Sequence, residues 1–227
     1  SKSILSDLTW RYGFDPSRTS VIPNFVPIDA EHDVVSPLDR SPGDLLAIGP
    51  LDRSQRHDLL IDAIATLDSA TREDITLTIV VDGPDAPALA HRARENEVNL
   101  NLVRFLSYSD LIERLRHATA LVHAAPVGPQ PRPVLEAMAV GSPVIASLSG
   151  APLELLCNGV TGLAVPGEVD AFASALVGLL PDIDWREMLG TAAAQRVRTV
   201  CGIDRVRSLT LEAHANAIGL HAERLAA

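Results

Sequence analysis

The stretch Leu135-Glu136-Ala137-Met138-Ala139-Val140-Gly141-Ser142-Pro143-Val144-Ile145-Ala146-Ser147 joins a helix-forming run to a short apolar one. Leu, Glu, Ala and Met favour a helix, Gly141 followed by Pro143 ends it, and Val144 to Ala146 reads as a buried strand. A helix delivered straight into a buried strand is half of a βαβ unit, and the remaining question is how often that unit recurs.

Outward from this stretch the pattern repeats. Strand candidates are Ser20 to Ile22, Leu45 to Gly49, Ile75 to Val81, Leu100 to Phe105, Ala120 to His123, Val144 to Ala146 and Leu163 to Val165. Between them Leu60, Ile64 and Leu67 fall at helical spacing, as do Leu111, Ile112 and Leu115, and Phe172, Leu176 and Leu179. Asp110 three residues before Glu113, and Asp184 three before Glu187, give helix-start signals of capping type. The segment Pro27 to Asp44 reads as a surface loop, and Asp204 to Leu225 as a closing helix striped by Val206, Leu209, Ala213 and Ala217. Strands alternating with helices predict an α/β fold with a doubly wound, Rossmann-like parallel sheet. Any ligand then belongs at the carboxyl ends of the strands, in the loops Gly49 to Arg56, Val81 to Pro87, Leu106 to Asp110, Ala124 to Arg132 and Ser147 to Ala151.

Composition agrees and narrows the partners. Of 227 residues 47% are hydrophobic but only 4% aromatic, so the core is aliphatic, as buried parallel strands require. A formal charge of −10 with a pI near 5.1 repels a phosphate backbone and argues against nucleic acid. Cys157 and Cys201 lack CxxC spacing and a His at ligand spacing, and read as reduced, packed thiols of a cytoplasmic protein. No apolar run reaches the length of a membrane span, which leaves a visit to a membrane surface through a partner domain open.

Four passages, in order along the chain, resemble the group-one family of retaining glycosyltransferases. They are Val21-Ile22-Pro23-Asn24-Phe25-Val26, Ile79-Val80-Val81-Asp82-Gly83-Pro84, the run Leu135 to Ser147, and Asn158-Gly159-Val160-Thr161-Gly162-Leu163-Ala164-Val165-Pro166. The resemblance implies the C-terminal, donor-binding half of a two-domain GT-B enzyme. Residues 1–19, with Trp10-Arg11-Tyr12-Gly13, would be the helix leading in from a missing acceptor-binding domain, and 20–227 the nucleotide-sugar-binding domain.

The same resemblance locates a site and its departures. Glu136 corresponds to the carboxylate that accepts hydrogen bonds from the donor's ribose hydroxyls. The family's diphosphate-binding Arg and Lys fall on Pro50 and Gln55, and its sugar-positioning carboxylate falls on Gly128. Arg53, Arg56 and Arg132 are the cations available as substitutes, since a guanidinium pairs well with a diphosphate. Leu106 and Ser107 correspond to the backbone that reads the base, and Gly128, Gln130 and Arg132 keep amides in a loop where Pro129, Pro131 and Pro133 have none. His123 reads as a core-edge histidine, and Asp82-Gly83-Pro84 as a turn; the fold needs no metal and no cofactor beyond the nucleotide-sugar substrate. Two further readings stay open at this point: a catalytically degenerate glycosyltransferase-like binding module, and another nucleotide enzyme on the same frame such as a sugar-nucleotide epimerase. The absence of GxGxxG argues against a dehydrogenase.

Overall fold

The computed structural model describes residues 2–27, 40–125, 131–147 and 155–226. The chain opens with helix α1 (Lys2–Tyr12) and a single 3-10 turn at Pro16–Arg18. It continues through β1 (Ser41–Ile48), α2 (His57–Ala65), α3 (Ser69–Glu73), β2 (Thr76–Val80), α4 (Ala86–Glu95), β3 (Asn99–Val103) and α5 (Tyr108–His117). The second half runs through β4 (Ala118–His123), α6 (Arg132–Ala139), β5 (Val144–Ser147), β6 (Leu163–Val165), α7 (Val169–Leu179), α8 (Ile183–Cys201) and α9 (Ile203–Ala226).

The six strands form one sheet in the order β3-β2-β1-β4-β5-β6, every pair parallel. This is the doubly wound sheet the sequence predicts. Because side chains alternate along a strand, each one feeds two cores. Leu45, Ala47, Leu77, Ile79, Ala120 and Val122 face α2, α4 and α7, while Leu46, Ile48, Val80, Leu121 and Val144 face α5, α6 and α8. Burying one such side chain stabilises the fold by about 1.5–3 kcal/mol.

Several boundaries differ from the sequence reading. Ser20 to Ile22 joins no strand among the described residues: Ile22 is 37% exposed, and Pro23 behind it has no N–H to offer a ladder. The expected loop from Pro27 to Asp44 is wrong at its end, because β1 already begins at Ser41 and Arg40 is buried; residues 28–39 lie outside the described part. Asp44 tolerates its place in the strand because Arg114 on α5 reaches its carboxylate at 3.1 Å. β3 stops at Val103, which leaves Phe105 80% exposed beyond it.

The helix caps also sit elsewhere. α5 is capped by Ser107, whose hydroxyl accepts from the Asp110 amide, and α8 by Asp182, whose carboxylate accepts from Trp185 N at 2.8 Å. On α9 the stripe Val206, Leu209 and Ala213 is only half-buried, and Ala217 is exposed.

Candidate active site

The direction of winding reverses between β1 and β4, so the loops that follow these strands part and leave a crevice at their carboxyl ends. One lip is the loop from Gly49 to Arg56. Gly49 holds φ 156, a conformation that favours glycine, and its N–H donates to Val80 O at 3.1 Å. Leu51 donates its N–H to Asp82 O at 3.4 Å and accepts from Asp85 N at 2.9 Å, so the lip is braced against the loop after β2 by main chain alone. Asp52 closes a small turn by accepting from Ser54 N at 2.8 Å.

The side chains of this lip point in several directions. Pro50 offers no cation. Gln55 folds its amide over Gly49, close enough that a Cβ there would lie 2.6 Å from Oε1, and donates from Nε2 to Ser54 Oγ at 3.2 Å. Arg56, at φ 53, precedes α2 and sends its guanidinium across to the Gly167 carbonyl at 3.0 Å, near the start of α7. Arg53 is exposed and lines a hollow of about 340 Å³ between α2 and α4, together with Arg56, His57, Asp85 and Arg92.

The other lip begins at Ala124. Gly128 and Gln130, along with Ser149 to Ala151, fall outside the described residues. The chain is described again from Pro131, the N-cap of α6, which has no side-chain capping bond; Pro133 has no N–H and Val134 N donates to the Pro131 carbonyl at 3.1 Å, so the amide that this turn offers an anionic partner is that of Arg132. One turn in stands Glu136, 5% exposed, with Arg132 Nε 3.6 Å from its Oε1. Burial pushes the Glu136 carboxyl above its ordinary range, and Arg132 works against that rise. Tyr108, at the start of α5, is close enough for the Glu136 charge to add to the burial that raises its own phenol.

The structure therefore brings Glu136 and Arg132 together, with Tyr108 beside them. Leu106 and Ser107 lie immediately before Tyr108: Leu106 packs against the α5/α6 core, and the Ser107 hydroxyl is taken by the cap of α5. Arg53 and Arg56 both line the hollow beside α2, and Arg56 is engaged by the Gly167 carbonyl. Tyr108 was not singled out by the sequence, since its nearness to Glu136 arises from the packing of α5 on α6. His57 was also missed. It is 4% exposed at the start of α2, with Nε2 3.4 Å from the Gly49 carbonyl, to which it can only donate. His123, at the end of β4, is 9% exposed. Burial, helped by the nearby His57 imidazole, holds its pKa down at about 4. Among the described residues no cluster of three or more His, Cys, Asp or Glu side chains is placed to hold a metal ion. No described helix is long and apolar enough to cross a membrane.

Known proteins resemble this chain in sequence and in fold. A D-inositol 3-phosphate glycosyltransferase of Salinispora tropica is 30% identical over 99% of this chain and 52% of its own length. A glycogen synthase of Mycobacterium tuberculosis is 33% identical over 69% of this chain and 38% of its own. The chain thus spans about half, or less, of the curated relatives it matches. Among solved structures, S. aureus TarM in complex with fondaparinux, α-GlcNAc-glycerol and UDP superposes with a TM-score of 0.80 at 16% identity, over 94% of this chain and 42% of that one. Sucrose-phosphate synthase of Thermosynechococcus elongatus gives 0.75 at 21% identity, over 98% and 57%. The sequence profile described as "Glycosyl transferases group 1" matches residues 29–196. A profile match over most of the chain, on a sheet shared with GT-B enzymes, makes this protein a member of the group 1 glycosyltransferases.

Proposed function

We propose that the chain is the donor-binding half of a retaining glycosyltransferase and holds a nucleotide-sugar at the β1/β4 crevice. The observation that carries this reading is the buried Glu136 carboxylate, set one turn inside α6 at the carboxyl end of the sheet. A carboxylate there accepts two hydrogen bonds from vicinal hydroxyls such as those of a ribose. The Arg132 amide at the start of α6 meets the diphosphate, and the Arg132 guanidinium, 65% exposed along its side chain and already beside Glu136, is the cation nearest to it. Arg56 supplies a second guanidinium by exchanging its Gly167 carbonyl for a phosphate oxygen, while Arg53 contributes charge from outside the crevice. The backbone at Leu106 and Ser107 meets the base, and Gly128 and Gln130 contribute amides to the donor. The acceptor is held by a second domain outside this chain. In support, TarM was crystallised with UDP, and an Anabaena protein that superposes with a TM-score of 0.70, HepE, was crystallised with UDP and glucose.

Calorimetric titration of the folded chain with UDP, GDP and ADP tests the reading. Binding of at least one of them, weakened by about 1–3 kcal/mol in Glu136→Ala, is the expected result. A folded chain that binds none of the three is instead a glycosyltransferase-like binding module.

A further inference from the structure

Two buried imidazoles, near enough for the charge of one to affect the other, stand where β1 and β4 give way to their loops. His57 and His123 are 4% and 9% exposed, each more than nine-tenths buried. His57 Nδ1 has no partner of hydrogen-bond geometry, while Nε2 lies 3.4 Å from the Gly49 carbonyl and the Pro50 backbone also acts on the ring. For His123, no side chain or carbonyl among the described residues takes up a ring nitrogen; its neighbour of note is His57. Leaving the buried His57 Nδ1 unsatisfied costs about 1–3 kcal/mol.

Their place in the fold says where a partner would come from. His123 is the last residue of β4, in register with Ala146 on β5, and shares a strand face with Leu121, the face covered by α6. It thus lies on the Glu136 side of the sheet, at the switch point. His57 lies beneath the opposite lip.

The chemistry says what kind of group the partner carries. Burial favours the uncharged form of both rings. A phosphate would favour the imidazolium, which this environment disfavours. A neutral imidazole has one N–H donor and one lone-pair acceptor, the complement of a hydroxyl.

We infer that His123 binds a hydroxyl group of the sugar ring of the donor. The assignment rests on the nucleotide-sugar reading above and deepens it by naming the group that recognises the sugar rather than the nucleotide.

The test compares wild type, His123→Phe and His123→Gln by calorimetry with three pairs of probes: UDP and UDP-glucose, GDP and GDP-mannose, ADP and ADP-glucose. For the pair that binds, His123→Phe should weaken the nucleotide-sugar about tenfold, the loss of one hydrogen bond, while changing the bare nucleotide less than about twofold. His123→Gln, which keeps a donor and an acceptor, should recover most of the difference. In wild type labelled with 15N-histidine, the nucleotide-sugar should shift the His123 ring resonances beyond the shift the nucleotide causes, a readout that needs no variant to fold. Equal loss for sugar-nucleotide and nucleotide, or ring resonances that respond to both alike, would overturn the assignment while leaving the nucleotide site standing. A folded wild-type chain that binds none of the six probes would overturn the underlying reading, and this assignment with it.

Discussion

Arg40 Nη2 donates to the Gly141 carbonyl at 2.7 Å, tying the entry of β1 to the end of α6 across 101 residues of chain. Its Nη1 donates to the carbonyls of Arg116 at 2.6 Å and Ala118 at 3.2 Å, where α5 ends. One guanidinium thus gathers the carbonyl ends of two helices, where the helix dipoles favour a cation. Burial and the neighbouring Arg186 hold its pKa down at about 10, so it remains charged at neutral pH. Arg40→Met strands three carbonyls and should lower the free energy of unfolding in urea by about 2–4 kcal/mol. A loss below about 1 kcal/mol would show that the clamp is incidental.

The same end of α6 sets a second limit. A Cβ built on Gly190 of α8 would lie 2.1 Å from the Gly141 carbonyl oxygen, because the two helices meet through bare backbone. Gly190→Ala should therefore destabilise the chain by about 1–3 kcal/mol through overpacking. Gly219→Ala, where a Cβ meets nothing within 4 Å, is the control and should be neutral or stabilising by up to about 1 kcal/mol. Thermal midpoints that fall equally in both would refute the close-approach argument.

Acid should destabilise the fold before carboxylates are protonated. His123 titrates at about 4 in the folded chain against an ordinary 6.5, so the unfolded chain takes up the proton first as pH falls. Stability is intact above about pH 6.5, declines between there and about pH 4, and loses nothing further from this group below that. The loss over the window is up to about 3 kcal/mol, and His57, shifted in the same direction, adds to it. Urea unfolding followed from pH 7 to pH 4 should show a shallower decline in His123→Gln. An unchanged slope would exclude His123 as its source.

The two cysteines should separate cleanly. Cys157 is exposed and Cys201 buried, with burial raising the Cys201 thiol to about 11. Since the thiolate is the reacting form, iodoacetamide at neutral pH should modify one thiol per native chain, identified by peptide mass as Cys157, and reach Cys201 only on unfolding. Equal rates for both in the native chain would contradict the packing of α8.

What the sequence disclosed follows the range of the interactions involved. Val144 to Ala146 and Ile75 to Val81 were readable because strands buried on both faces are continuous apolar runs. Ser41 to Asp44 was not, since Pro42, Gly43 and Asp44 look like a turn and the residue that makes Asp44 acceptable, Arg114, is 70 positions away. The cap of α5 was misplaced by three residues because Asp110 and Ser107 carry equally plausible capping side chains, and only geometry shows which hydroxyl accepts the amide. At the site, Glu136 was marked by the run around it. The turn of Arg56 toward Gly167, 111 residues on, and the meeting of His57 with His123 depend on how loops from distant strands converge, which no local pattern encodes.

Leu51 spends both of its main-chain groups on the neighbouring loop, and no side chain takes part in that brace. The shelf beside the crevice is consequently indifferent to which residues decorate positions 50, 53 and 55. Grafting a guanidinium at Pro50 and an ammonium at Gln55 requires no new backbone path, only the release of the glutamine amide from its seat on Gly49.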